Sequence, residues 1–83
     1  MENQKLNLTD KNAVQLHENC IIFGSLVGQT EKHFFNIGLN PNDGSNEMFS
    51  CTYGYVHNVK QSDLLDFIYI GSVEQYSYCL ECD

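Results

Sequence analysis

The 83-residue chain has no arginine and no tryptophan, a single proline (Pro41) and only four lysines. Each shortage excludes something. Binding nucleic acid through its phosphates needs clustered lysine and arginine. Four dispersed lysines against 11 acids, a net charge of −7, form no such cluster. No apolar run approaches the roughly 18–20 residues of a membrane span. The polar stretch Met1 to Asp10 does not look like a secretory signal. The GxSxG, P-loop and HExxH spacings are missing, and Gly24 and Gly28 make no dinucleotide fingerprint. A chain this short buries only about 60–65% of its unfolded surface, which leaves little room for a deep catalytic cleft. The expectation is one domain, residues 1–83, that is not an enzyme, uses no cofactor, contacts neither nucleic acid nor membrane directly, and resides in the cytoplasm.

Hydrophobic periodicity suggests the architecture. Lys5 to Thr9 alternates and predicts a short edge strand. Thr9 or Asp10 offers a capping oxygen, and Ala13, Leu16, His17 and Cys20 share one helical face, predicting a two-turn helix. Cys20 to Val27 is β-branched and aromatic, so it reads as a strand. After a turn at Gly28–Thr30 it forms a hairpin with an alternating strand over Glu31 to Leu39. Asn40 to Asn46 holds Pro, Gly, Asn and Asp, the residues of a loop. Glu47 to Asn58 has period two throughout, with Phe49, Cys51, Tyr53, Tyr55 and His57 on one face, and predicts a long third strand in which Gly54 marks a bulge. This alternation also allows His33 and His57 to share a sheet face beside Phe35 and Tyr55. Ser62 reads as a helix N-cap with Asp63 and Asp66 in the first turn, running into Ile68–Ile70, which suits a strand equally. Glu74 to Cys82 alternates again and predicts a last strand. The sum is an α+β domain: an antiparallel β-meander of three to five strands with one or two short helices packed on one face.

Of the four cysteines (Cys20, Cys51, Cys79, Cys82), the pair Cys79 and Cys82 has the CxxC spacing of a structural zinc site. A complete site would need Cys20, Cys51 or histidines to converge on it. In a reducing compartment the thiols are expected to be free and mostly buried.

The acids carry the stronger signal. Gln61 to Asp83 holds Asp63, Asp66, Glu74, Glu81 and Asp83 and no lysine, so 23 residues supply −5 of the −7. Tyr69, Tyr76 and Tyr78 are interleaved with them. Tyrosine is enriched at protein interfaces, where its ring buries area and its hydroxyl bonds at the rim. Asp63, Asp66, Tyr69, Glu74, Tyr76, Tyr78 and Glu81 are therefore candidate contacts for a protein partner with a basic surface. In size, charge and economy the chain resembles small acidic inhibitors encoded by phages or mobile elements, anti-CRISPR proteins among them. It also resembles small immunity proteins that neutralise nuclease toxins. The resemblance implies carboxylates presented to a nucleic-acid-binding surface in place of phosphates. A zinc-stabilised module or an oligomer built by edge pairing of strands are the alternatives from other classes.

Overall fold

A computed structural model describes residues 4–80. Within them, strands β1 (Lys5–Thr9) and β2 (Gln15–His17) form a two-stranded sheet. Strands β3 (Cys20–Gly24), β4 (His33–Leu39), β5 (Asn46–Ser50), β6 (Gly54–Val56) and β7 (Phe67–Ser72) form a five-stranded antiparallel sheet in the order β6-β5-β4-β3-β7. A short helix α1 (Val73–Tyr76) and 3-10 turns over Gln61–Leu64 and Ser77–Leu80 complete it. The expected α+β class and the β3–β4 hairpin hold, and so does the 40–46 loop. There Asn40 Oδ1 accepts from Asn42 N, Asp43 Oδ1 accepts from Ser45 N, and Gly44 has φ 74°.

Four local expectations need correction. No helix forms over Ala13 to Cys20. The Asp10 carboxylate captures the backbone N–H groups of Asn12 and Val14, and Ala13 (φ 64°) and Asn19 (φ 61°) are left-handed, which breaks a right-handed helix at both ends. The residues between them form β2, antiparallel to β1. The long strand over Glu47 to Asn58 is instead the β5–β6 hairpin, which reverses at Cys51–Tyr53. Gly54 at φ 103° makes that reversal possible, and alternation persists across it because Phe49 pairs with Tyr55. The turn near Ser62 is a single 3-10 turn flanked by Lys60, and Phe67 and Ile68 belong to β7. The last strand, expected from Glu74 onwards, is α1 and a 3-10 turn. A strand there would need an edge to pair with. The outer edge of β7 already donates Tyr69 N–H to Asp10 Oδ2 and accepts Lys11 N–H at Phe67 O.

The five-stranded sheet has two faces. On one, Leu6, Leu8 and Leu16 from the small sheet close over Cys20, Ile22, Phe35, Ile37, Met48 and Phe67, joined by Val59 and Leu64. Full burial of such side chains is worth about 1.5–3 kcal/mol each, and Phe35 and Phe67 meet edge to face at 5.6 Å. The side-chain amide of Gln61 ties this layer down by bonding both Thr9 N and Thr9 O, as a neighbouring strand would. On the opposite face the C-terminal segment covers part of the sheet. The Tyr76 ring lies so close to Gly71 that an added Cβ would meet it at 2.2 Å, and Cys79 and Leu80 sit beside Phe23 and Phe34. Among the described residues the part of that face around Phe49 and Tyr55 is left open.

Candidate partner-binding surface

The residues expected at the partner surface occupy different settings. Asp63 Oδ2 accepts from Lys60 N at the start of its 3-10 turn. Asp66 accepts from Ser25 Oγ at 2.7 Å and lies 4.0 Å from Lys11 Nζ. The Ser25 hydroxyl, with Lys32 and Lys11 nearby, holds the Asp66 carboxyl below its ordinary value against the opposing effect of desolvation. Tyr69 turns inward and packs against the core. Its hydroxyl donates to His17 Nε2 at 2.8 Å, since His17 Nδ1 donates to the Glu18 carbonyl. Burial, together with the Cys20 thiol and Tyr76, raises the Tyr69 pKa. Tyr76 covers Gly71, with Tyr78 beside it at 6.1 Å. Glu74 and Tyr78 are exposed, Tyr78 at 63%. Glu81 and Cys82 lie outside the described residues.

Nor are the cysteines all free. Cys51 is exposed and disulfide-bonded, Cys79 is a half-buried free thiol, and Cys20 is a free thiol in the core, its pKa raised by burial. Among the described residues no three His, Cys, Asp or Glu side chains are grouped to hold a metal ion. No helix among them is long and apolar enough to cross a membrane.

The open part of the sheet holds a groove of about 230 Å³ that the sequence reading did not single out. Its lining includes Asn19, Asn36, Gly38, Glu47, Phe49 and Tyr55, and no lysine. The β4–β5 register sets Asn36 opposite Phe49 and Gly38 opposite Glu47, and the β5–β6 register sets Phe49 opposite Tyr55. Phe49 and Tyr55 lie 4.7 Å apart, and His57 stacks on Tyr55 with an interplanar angle of 6°. Glu47 Oε2 accepts from His57 Nδ1 at 2.5 Å and from Asn40 Nδ2 at 3.4 Å. Asn36 Oδ1 is buried without a hydrogen-bond partner. One acid from elsewhere in the chain approaches the groove: Glu18 adjoins Asn19 and comes near Gly38. Val73 N donates to Asn19 O, which sets the start of α1 beside Asn19.

The aromatic alternation of 49–57 was the signal for this groove. What hid its location was the turn at 51–53, which places His33 and His57 apart. His33 bonds Thr52 and packs near Phe35 and Tyr53, whereas His57 stands at the sheet edge on Tyr55. Comparison with known protein families, curated proteins and solved structures finds no match to this chain.

Proposed function

We propose that this chain is a protein-binding inhibitor that covers a basic, nucleic-acid-binding surface of a nuclease or defence complex, acting in the cytoplasm of a host cell in the manner of an anti-CRISPR protein. One observation carries the reading. The carboxylates of Glu18, Glu31 and Glu74 make no hydrogen bond or ion pair among the described residues, and Glu18 borders the lysine-free aromatic groove. A free carboxylate beside an aromatic patch suits a cationic protein surface: the charge speeds encounter, and the rings supply buried area.

The test is capture of partners from the native host by the tagged protein, identified by mass spectrometry, followed by association kinetics. Asp63 and Asp66 are poor probes because both carboxylates bond their own chain. The informative variant is Glu18→Lys with Glu74→Lys. With a basic nuclease captured, its on-rate at low salt falls by about tenfold or more, and the difference shrinks as salt rises. Association that ignores both salt and the double reversal overturns the acidic-surface reading.

A further inference from the structure

We infer that the groove between β4, β5 and β6 is a subsite for one arginine side chain of the partner, a proposal that rests on the partner being a cationic protein. Three features of the groove converge on a guanidinium. First, Phe49 and Tyr55 form an exposed aromatic wall, 37% and 66% accessible, and a guanidinium plane stacks on such rings better than an ammonium does. Second, Glu47 stands on the same lining and uses Oε2 for both its bonds to His57 and Asn40, which leaves Oε1 for an incoming N–H. Third, the floor carries no side chain at Gly38 and is bordered there by Asn19 Oδ1 and Glu18, which an added Cβ would meet in ordinary contact at 3.8 and 3.9 Å, so a further acceptor and a further acid stand beside the aromatic wall.

The floor also has an unmet acceptor. Among the described residues Asn36 Oδ1 is buried and has no hydrogen-bond partner, an unfavourable state in a folded protein. Asn36 is part of the groove lining, so an incoming guanidinium N–H that reaches Oδ1 supplies the missing donor. The forked donors of arginine can reach Glu47 and Asn36 together from one stacked position, because the β4–β5 pairing places the two residues diagonally on adjacent strands. A lysine ammonium offers no flat face to the aromatic wall and no fork for two separated oxygens.

The test uses a small probe and needs no partner. N-acetyl-arginine amide is titrated into the isotope-labelled protein and compared with N-acetyl-citrulline amide, its uncharged isostere, and with N-acetyl-lysine amide. The arginine probe is expected to give saturable shifts, with Kd on the order of millimolar, at the amides of Gly38, Glu47, Phe49 and Tyr55 and at the Asn36 side-chain NH2. Citrulline should give a tenth of the shift or less, and lysine a weaker Kd. Tyr55→Ala and Glu47→Gln should each weaken the arginine Kd about two- to fivefold. Glu31→Gln, which removes the same charge outside the groove, should leave it unchanged. Well-dispersed spectra of each variant establish that it is folded. Shifts that are absent from the groove, equal for citrulline and arginine, or indifferent to Tyr55→Ala and Glu47→Gln overturn the subsite. Because partner capture is measured separately, a silent groove with a captured basic partner removes this inference alone. A captured partner lacking any basic surface removes the reading beneath it.

Discussion

Replacing Asp10 should destabilise the fold more than replacing any other carboxylate among the described residues. Asp10 is 5% exposed. Its Oδ1 accepts from Asn12 N and Val14 N, and its Oδ2 accepts from Tyr69 N, all at 2.8 Å. One side chain thus closes the β1–β2 turn and satisfies the outer edge of β7. Hydrogen bonds to a charged group contribute about 1.5–3 kcal/mol each. Asn12 and Val14 are exposed, so water replaces much of their share on removal. Tyr69 N sits in a half-buried strand and recovers less. Asp10→Ala should therefore cost about 3 kcal/mol, which in a domain of this size lowers Tm by roughly 12–24 °C. Asp10→Asn keeps an oxygen for the turn but turns an NH2 towards Tyr69 N–H, and should cost about 2 kcal/mol. Burial alone would raise the Asp10 pKa. The backbone donors Tyr69, Val14 and Asn12, with Lys11 nearby, overcome it and leave the pKa below the ordinary 3.8. A depressed folded pKa means stability that is fully present above 3.8 and lost as pH falls through the folded value. The gap between wild type and Asp10→Asn in urea melts should thus be constant from pH 7 to about 5 and narrow below pH 4. A cost for Asp10→Ala under about 1 kcal/mol, or a gap that widens in acid, would refute the assignment.

Other outcomes follow from close approaches and thiols. Gly24→Ala places a Cβ 2.1 Å from the Asp66 carbonyl oxygen, a backbone atom that cannot step aside. It should cost about 3 kcal/mol or more in a denaturant melt. Gly71→Ala meets the Tyr76 ring, which can rotate away, and also forces an L side chain onto a φ of 158°. Combined with Tyr76→Ala it should lose the contact part of its cost and keep the backbone part, since only the contact is shared. Reduction of the folded protein should lower Tm through loss of the Cys51 disulfide, by an amount matching about 2–4 kcal/mol. A brief pulse of iodoacetamide without reductant should label Cys79 and spare Cys20, which is 0% exposed. Labelling of Cys20 at the Cys79 rate would contradict the core assignment.

Much of the sheet was legible because its strands obey period two. Ile22, Phe35, Ile37 and Phe67 face the core as alternation requires. Alternation fails where it cannot tell a strand from two strands joined in phase. The tight turn at Cys51–Tyr53 returns Tyr55 to the side occupied by Phe49, so the pattern reads through a reversal of direction. It fails again after Ser72, where Tyr76, Tyr78 and Leu80 alternate in sequence but the neighbouring edge of β7 is already occupied by Asp10 and Lys11. The false helix at 13–20 has a third cause. Ala13, Leu16, His17 and Cys20 do keep helical spacing, yet the buried Asp10 carboxylate takes the Val14 N–H that a helix starting here would give to the Asp10 carbonyl, and Ala13 is left-handed. Each of these decisions depends on a partner distant in sequence, or on a backbone φ, rather than on the local pattern.

The charge follows a rule of side-chain length that the composition conceals. Every described aspartate bonds its own chain. Asp10 holds the 10–14 turn, Asp43 accepts from both N and Oγ of Ser45, Asp63 accepts from Lys60 N, and Asp66 accepts from Ser25. A one-carbon stem keeps the carboxylate within reach of nearby backbone donors, which is why aspartate favours turns and helix starts. The longer glutamates behave otherwise. Glu18, Glu31 and Glu74 make no such bond among the described residues, and Glu47 reaches across to His57 at the groove. Among the described residues the aspartates are therefore parts of the fold, and Glu18, Glu31 and Glu74 are its free charge. This separates two effects that a net charge of −7 merges. Neutralising the aspartates should cost stability and show in melts. Neutralising Glu18, Glu31 and Glu74 should leave melting within about 0.5 kcal/mol, the usual range for surface changes, so that any effect on a partner reads as binding.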